Sequence, residues 1–294
     1  MNNPSNSEVF RSYLTSEKVL AIPGCYDAFS AKVIEKLGFP YVYLTGFGVE
    51  ASRLGKPDMG LMTMNEIADH ARNIVDAVSI PLISDIDTGF GGLLNLDRTI
   101  HTFEKAGVAG VHFEDQMFPK KCGAMSGRTM IEKAEMVSRI RIALHSRKDP
   151  NFVLIARSDA KESLGFEAVK DRLFEYLNAG ADLIMIGERY TLEELAELGR
   201  EFTGKLVFCG GIVEWEETNL PVSEYGTMGI KIVIYPLTGI CAVAKALQRI
   251  YEPLREKGHI TPKHLKDDIL QMNQVNQILD IDRYNDLSNC IFQE

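Results

Sequence analysis

The sequence predicts an α/β fold, a (β/α)8 TIM-type barrel with extra C-terminal helices. Short apolar runs rich in β-branched residues alternate eight times with longer patterns that are typical of helices. The short runs are apolar almost throughout, as expected for parallel strands that are covered on both faces. Polar and ionisable residues follow these runs at one end only, which is where barrel enzymes place their chemistry. An open, doubly wound sheet is the alternative fold.

The predicted strands and helices follow from this alternation. Strands are predicted over residues 19–22, 41–44, 81–84, 110–114, 152–156, 182–186, 206–209 and 230–234. Helices are predicted over 26–37, 65–78, 96–106, 132–145, 166–178, 192–199 and 239–257, with a Gly-rich loop after the second strand. Thr63 or Asn65 suits the N-cap of the second helix, and Gly107 suits the end of the third.

Residues 262–294 lie beyond the eighth unit and carry Leu, Ile and Met at helical spacing. Because a barrel closes without a ninth unit, we expect this C-terminal helical extension to pack on the outside or on another subunit. The chain as a whole, residues 1–294, is interpreted as a single barrel domain, since its length suits one barrel.

Composition and charge restrict the class of protein. The chain has 294 residues, 45% of them hydrophobic and 25% charged, as in ordinary globular proteins. The net charge of −9 argues against nucleic acid as a partner, although local cations could still bind an anionic small molecule. The five cysteines form no CxxC pair, which disfavours a zinc site or a disulfide framework. The polar residues 1–6 and the lack of a membrane-length apolar run predict a cytoplasmic protein without a membrane partner.

Asp85 and Asp87 follow the third predicted strand and are the first candidate metal ligands. On an extended backbone, residues two apart point to the same face, where two carboxylates repel each other unless a cation lies between them. A divalent cation that prefers oxygen ligands, such as Mg²⁺, satisfies both, and Glu114 at the end of the next strand adds a third carboxylate. Solvated loop carboxylates are the alternative, which the position at a strand end disfavours.

Arg157 follows four apolar residues of the fifth strand, an unusual place for a charge without an anionic partner. Its planar guanidinium suits a substrate carboxylate. A salt bridge with Glu188 or Asp159 is the alternative, and the two are compatible.

Residues 118–128 form a longer loop than usual between a strand and a helix, which is typical of a lid. Gly123 and Gly127 can act as hinges, and the loop's lysines and Arg128 can attract an anion. Flanking lysines favour the thiolate form of Cys122, whereas a role as proton donor requires the neutral thiol. An incidental surface cysteine is the alternative.

These motifs together resemble the isocitrate lyase/phosphoenolpyruvate mutase superfamily, with the 2-methylisocitrate lyases as the nearest branch. The resemblance runs from Pro23 through the C-terminal helices. It is carried by Tyr43-Leu44-Thr45-Gly46, Asp58, Asp85-Ile86-Asp87-Thr88-Gly89-Phe90-Gly91, Glu114-Asp115-Gln116, Lys120-Lys121-Cys122-Gly123, Ala156-Arg157-Ser158-Asp159 and Tyr235-Pro236-Leu237.

The resemblance implies a barrel whose last helix is exchanged between subunits of a homodimer or homotetramer. It also implies Mg²⁺, with Mn²⁺ as an alternative, held by Asp85 and Asp87 with Asp58 and Glu114 in the outer sphere. Cys122 would be the acid, acting with Lys120, Tyr43 and Arg157, and either Tyr43 or a metal-linked carboxylate would be the base. The substrate-binding residues implied are Thr45, Gly46, Phe47, Gly123, Glu188, Gly210, Tyr235 and Pro236.

The implied activity is Mg²⁺-dependent cleavage of a carbon–carbon bond in a 2-hydroxy di- or tricarboxylate, giving pyruvate or another oxo acid plus a second acid. Ala124 stands where methylisocitrate lyases have His, and Cys209-Gly210-Gly211 replaces a segment that contains Asn. We therefore expect a smaller acid, such as a 2,3-dimethylmalate-like or citramalate-like compound, although 2-methylisocitrate and, through the Gly210 and Gly211 amides, a phosphorylated substrate stay open.

The alternative activities are oxaloacetate hydrolysis or decarboxylation and phosphoenolpyruvate-type phosphonomutase chemistry. A non-catalytic binding homologue is a further alternative, which the retained Lys120-Lys121-Cys122 motif disfavours. A dinucleotide enzyme is disfavoured too, because Gly46-Phe47-Gly48 lacks a third glycine at the required spacing.

Overall fold

The computed structural model of the protein describes residues 4–291. Within this range eight parallel strands pair in chain order, and β8 pairs with β1 to close a barrel. The strands are β1 Leu20–Cys25, β2 Val42–Leu44, β3 Leu82–Asp85, β4 Gly110–Glu114, β5 Val153–Ser158, β6 Leu183–Ile186, β7 Leu206–Cys209 and β8 Ile230–Tyr235. The predicted (β/α)8 barrel is therefore confirmed, and the doubly wound sheet is wrong.

Helices surround the strands and continue beyond them. They are α1 Asn6–Leu14, α2 Ala28–Lys36, α3 Gly46–Leu54, α4 Met64–Ala77, α5 Leu93–Lys105, α6 Lys133–Ser146, α7 Lys161–Leu164, α8 Phe166–Asn178, α9 Leu192–Glu201, α10 Val222–Thr227, α11 Thr238–Lys257, α12 Pro262–Asp267, α13 Met272–Ile278 and α14 Ile281–Ile291. A 3-10 helix spans Val213–Thr218. Among residues 4–291, no helix combines the length and the apolar character that crossing a bilayer requires.

Two apolar clusters explain the layering of the barrel. One fills the barrel interior with alternate strand residues such as Leu20, Ile22, Ile232 and Ile234. The other lies between the strands and the surrounding helices and contains the opposite residues of the same strands. Phe10 of α1, a helix that the sequence analysis missed, joins the interior cluster and is fully buried.

The segment after β2 is the clearest error of the sequence analysis, because the predicted Gly-rich loop is the helix α3. Thr45 caps its N-terminus through the amide of Gly48 at 3.4 Å, and Gly55 ends it with a φ of 59°. A Cβ atom at Gly46 would lie 2.8 Å from the Asp85 carboxylate. The glycines are therefore required by close packing at the strand ends and do not mark a loop.

The C-terminal region is helical through α12, α13 and α14, as predicted for the described part of 262–294. The 20-residue helix α11 precedes this region. The structure describes every residue of α11, and none of them is buried. Val243, Leu247, Tyr251 and Leu254 repeat at helical spacing along α11 and are each at least 40% exposed. An apolar groove of about 620 Å³, lined by residues of β1 and α2 and by Val243, lies beside it.

Candidate active site

A small cavity, partly open to solvent, lies where the carboxyl ends of the strands meet. Its volume is about 40 Å³, which is room for a few water-sized groups. Its walls come from strand ends and from the loops that follow them, as expected for a barrel enzyme. The lining residues are Tyr43, Thr45, Phe47, Asp58, Asp85, Cys122, Gly123, Ala124, Arg157, Met185, Gly187, Cys209, Ile212, Pro236 and Leu237.

Seven predicted site residues do not line this cavity. Gly46, Asp87, Glu114 and Lys120 lie directly behind it and contact residues that do. Gly210 donates its amide to the Ile234 carbonyl at 2.8 Å, and Tyr235 faces the apolar groove beside α11. Glu188 binds Arg128 at 2.5 Å and accepts the backbone amides of residues 161 and 162. Substrate contacts by Gly210, Glu188 and Tyr235 thus remain predictions.

Asp87 does not lie on extended backbone, so the alternation argument that paired it with Asp85 is wrong. The strand β3 ends at Asp85, and Asp87 has a φ of 49°, in the left-handed region. The turn nevertheless directs both carboxylates towards Gly46, and the Asp87 amide donates to Asp85 Oδ1 at 2.9 Å. The two carboxylates therefore do converge, but through a turn that the sequence did not reveal.

The cation beside Asp87 in this structure is the Lys120 ammonium. Lys120 Nζ lies 2.6 Å from Asp87 Oδ1 and also forms an ion pair with Asp58. Burial raises the pKa of Asp87 to about 7, and Lys120 offsets this only in part. Burial acts to lower the pKa of Lys120, but Asp87 and Asp58 outweigh it and raise that pKa well above its usual range.

Asp85, His112 and Glu114 offer ligand atoms within 4.8 Å of one another, and all three side chains are buried. Within residues 4–291, Glu114 Oε2 and His112 Nδ1 have no hydrogen-bond partner. Burial raises the pKa of Glu114 well above its usual range. A buried carboxylate with an unpaired oxygen, beside a second carboxylate, fits a hard divalent cation. The chain thus has a candidate metal site here.

Sequence reasoning missed His112, which lies in the middle of the apolar strand β4. Its position two residues before Glu114 places both side chains on the same face, and this spacing was the available signal. His112 Nε2 lies 2.7 Å from the Tyr43 hydroxyl, which in turn lies 3.4 Å from Asp85 Oδ2. Burial lowers the pKa of His112 to about 4, so the imidazole is neutral at pH 7.

Arg157 forms a bidentate ion pair with Asp159 and no ion pair with Glu188. Its Nε and Nη2 donate to the two Asp159 oxygens at 2.8 and 2.7 Å, and Nη1 lies 3.5 Å from Glu114 Oε2. Gly187 packs against the guanidinium so closely that a Cβ atom there would lie 2.6 Å from Cζ of Arg157. Since Arg157 also lines the cavity, the ion pair fixes the guanidinium at the cavity wall.

The predicted lid, residues 118–128, lies over the cavity and is hydrogen-bonded to its surroundings while several of its residues stay exposed. The Cys122 amide donates to the Asp58 carbonyl at 3.1 Å, and Arg128 donates to the Gly123 carbonyl at 2.7 Å. The expected thiolate is wrong, although Lys120 does act to lower the pKa of Cys122, because burial and Asp58 outweigh it. Lys120 itself pairs with two aspartates, and Lys121 reaches backbone carbonyls of the lid. Burial raises the pKa of Cys122 to about 12, which keeps a neutral thiol at the cavity wall.

Comparison with known proteins connects this geometry to a family. A sequence model of the family described as phosphoenolpyruvate phosphomutase matches residues 10–255. The chain belongs to this family. The predicted membership of the isocitrate lyase/phosphoenolpyruvate mutase superfamily is thereby confirmed, as is the predicted similarity to its carbon–carbon lyases.

Three relatives illustrate the range of activities in the family. The chain is 38% identical over 280 residues to a 2,3-dimethylmalate lyase of Eubacterium barkeri, covering 95% of this chain and 96% of the relative. It is 37% identical over 252 residues to a 2-methylisocitrate lyase of Halalkalibacterium halodurans, covering 85% and 82%. The structure of an oxaloacetate acetylhydrolase in complex with 3,3-difluorooxalacetate superposes with a TM-score of 0.90 at 30% identity, covering 99% and 98%.

The close packing of Gly187 against Arg157 gives a prediction about stability. We expect Gly187→Ala to lower the free energy of unfolding by about 1–3 kcal/mol, because the added methyl group overpacks a buried ion pair. Urea unfolding measures this change. Gly92→Ala is the matched control, since a Cβ atom at Gly92 meets nothing within 4 Å and its φ is −78°. Equal stability of the two variants would contradict the packing argument.

Proposed function

We propose that the protein is a divalent-metal-dependent lyase that cleaves a carbon–carbon bond of a 2-hydroxy dicarboxylate, giving pyruvate or another oxo acid and a second carboxylic acid. The observation that carries this proposal is that one cavity is lined by a neutral thiol, a carboxylate of the candidate metal site and a guanidinium. These groups are a proton donor, part of a cation site and a carboxylate anchor.

Asp85 and Glu114 would hold the cation, Mg²⁺ or Mn²⁺, with Asp87 and Asp58 in its outer sphere. When bound, such a cation would acidify the substrate hydroxyl and stabilise the negative charge that its oxygen carries after the proton is removed. Lys120 already neutralises Asp58 and Asp87, whereas Glu114 Oε2 has no hydrogen-bond partner among the described residues and Asp85 forms no ion pair with a lysine or arginine there.

The chain's own residues supply the remaining steps. Arg157 anchors the carboxylate of the oxo-acid half, and Thr45, Gly46 and Phe47 at the N-terminus of α3 contact it, where the first amides of a helix favour an anion. Tyr43 or a carboxylate of the metal site accepts the hydroxyl proton. As the carbon–carbon bond breaks, Cys122 donates its proton to the carbanionic carbon of the leaving acid, and the closed lid excludes water.

The rest of the cavity wall favours a dicarboxylate with alkyl substituents over a tricarboxylate. Ala124, Met185, Ile212 and Leu237 are apolar, and among the described lining residues only Arg157 carries a positive charge. A third carboxylate would be buried there without a cationic partner, which is costly. A 2,3-dimethylmalate-like or citramalate-like acid suits this wall, in agreement with the name of the Eubacterium barkeri relative.

Oxaloacetate hydrolysis is the second candidate, because the acetylhydrolase structure superposes over nearly the whole chain. A phosphonomutase reaction has less support. The Gly210 amide, which could have bound a phosphoryl group, is already bonded to Ile234.

A panel of acids tests the proposed reaction directly. The purified protein with Mg²⁺ is offered 2,3-dimethylmalate, citramalate, 2-methylisocitrate and oxaloacetate, and pyruvate and oxalate are measured. We expect pyruvate from one or more 2-alkylmalates, with EDTA abolishing its release and Cys122→Ser lowering kcat by at least about 100-fold through loss of the acid. Cys209→Ser is the matched control, because Cys209 lines the same cavity and is not proposed to donate a proton.

Three outcomes would contradict this proposal. Oxalate from oxaloacetate without pyruvate from any malate would identify a hydrolase. Undiminished cleavage by Cys122→Ser would show that Cys122 is not the proton donor. Cleavage of 2-methylisocitrate at least as efficiently as the smaller acids would refute the argument from the apolar wall.

The metal site is testable without turnover. We expect Asp85→Asn to weaken Mn²⁺ binding, followed by the electron paramagnetic resonance of the free ion, by at least about tenfold, because a carboxylate ligand is lost. Asp97→Asn, on the outer helix α5, should leave binding unchanged. Equal Mn²⁺ affinity of Asp85→Asn and the unmodified protein would place the cation elsewhere.

We further propose that α11 is exchanged between two copies of the chain. The support is that none of the 20 residues of this helix is buried, that it carries an exposed apolar stripe, and that an apolar groove lies beside it. Exposed apolar surface of this extent is typical of an interface between subunits.

Mass measurement by light scattering tests the exchange. We expect a dimer or tetramer for the unmodified protein and a shift towards monomer for Leu247→Glu, which buries a charge in the interface. Gln248→Glu, which lies outside the apolar stripe of α11, should keep the original mass. A monomeric unmodified protein, or equal masses for both variants, would contradict the exchange.

A further inference from the structure

Gln116 lies at the neck of the lid, two residues beyond the end of β4. Its backbone pairs with Met130 in an antiparallel bridge, and the Met117 amide donates to the Thr129 carbonyl at 2.7 Å. The lid therefore leaves and rejoins the barrel at one paired point. The Gln116 side chain, only 2% exposed, extends from this neck into the space under the lid.

The Gln116 carboxamide binds the backbone of a lid residue at both of its polar ends. Oε1 accepts the Lys121 amide at 2.9 Å, and Nε2 donates to the Lys121 carbonyl at 2.8 Å. The side chain thus pairs with Lys121 as a neighbouring strand would, through one donor and one acceptor. Because Lys121 directly precedes Cys122, this pairing fixes the position and orientation of Cys122 relative to the cavity.

The same nitrogen also contacts the fixed part of the site. Nε2 donates to Asp159 Oδ2 at 2.7 Å and lies 3.3 Å from Glu114 Oε1. Asp159 is the partner of Arg157, and Glu114 belongs to the candidate metal site. Three oxygen acceptors surround Nε2, so the opposite orientation of the amide would place an oxygen against two carboxylates.

We propose that Gln116 is a positioning residue that holds the lid in its closed register by joining the Lys121 backbone to Asp159 and Glu114. This role requires a carboxamide on a side chain of the length of glutamine. Glutamate would keep the acceptor but lose both donors and bring a third negative charge to Asp159 and Glu114. Asparagine is one methylene shorter and cannot reach both sides, and leucine makes none of these bonds.

The alkylation rate of Cys122 tests this role in the free protein, independently of any substrate. Iodoacetamide labelling at neutral pH is followed by mass spectrometry of the peptide that contains Cys122, which separates it from the exposed Cys241 and Cys290. We expect Gln116→Leu to raise the Cys122 rate by at least about tenfold, because the hydrogen bonds that hold the lid are lost and the lid opens more often. Gln116→Asn should give an intermediate rate and decides the question if the leucine variant does not fold.

Ser146→Ala is the matched control. Ser146 is 3% exposed and donates to Asp97 at 2.6 Å on an outer helix, so its loss removes a buried hydrogen bond without touching the lid. We expect the control to label Cys122 at the original rate. Rates that are unchanged in both Gln116 variants, or equally raised in Ser146→Ala, would overturn the proposal.

A kinetic measurement adds a second test, which rests on the proposed lyase activity. With the substrate found in the panel, Gln116→Asn should lower kcat by about 10–100-fold and change KM little, because Cys122 is displaced while Arg157 and the metal site remain. A raised KM with unchanged kcat would overturn the role. If no acid of the panel is cleaved, the lyase proposal fails, whereas the alkylation result still decides the role of Gln116.

Discussion

The site depends above all on the ion pairs of the Lys120 ammonium with Asp58 and Asp87. These carboxylates lie close to Asp85 and Glu114, and such a group repels itself when it is removed from water. Lys120 belongs to the lid, so one cation both neutralises two carboxylates and closes the loop. This position brings Cys122 to the cavity wall and partly removes it from solvent, and burial raises the pKa of its thiol, which stays neutral. Charge balance, lid position and the protonation state of Cys122 are thus linked to one interaction.

The barrel was predictable because its causes are local. Each buried parallel strand requires a continuous apolar run, and each helix requires a 3.6-residue pattern with suitable ends, so a helix such as Phe166–Asn178 agrees with its predicted bounds. The helix α3 was not predictable in this way. Its glycines lower helix propensity, and the reason for them, the approach of Asp85 and Tyr26, exists only after the barrel has closed.

The location of the site could be predicted from the sequence, whereas the ion pairs within the site could be predicted only in part. Because all strand ends of a parallel barrel meet at one rim, the polar residues after the strands had to converge. Which cation joins which carboxylate depends on loop paths, so Arg157 pairs with Asp159, whereas Glu188 pairs with Arg128. His112 was missed for a related reason. From the sequence alone, a histidine inside an apolar strand is interpreted as a core residue. Its contacts with Tyr43 and Asp85 become known only from the structure.

The distribution of charge also indicates what the site is built to hold. Five acidic side chains, Asp58, Asp85, Asp87, Glu114 and Asp159, lie buried around two cations. Lys120 pairs with Asp58 and Asp87, and Arg157 pairs with Glu114 and Asp159. Such an excess of buried acidic groups over cations opposes folding. Burial is the main cause of the raised pKa values of Asp87 and Glu114, and the nearby Asp85 adds to it. A divalent cation beside Asp85 and Glu114 would relieve this excess while leaving Lys120 and the lid in place. Arg157 then remains the positive group for a substrate carboxylate, so metal and substrate can bind without competing for the same protein charges.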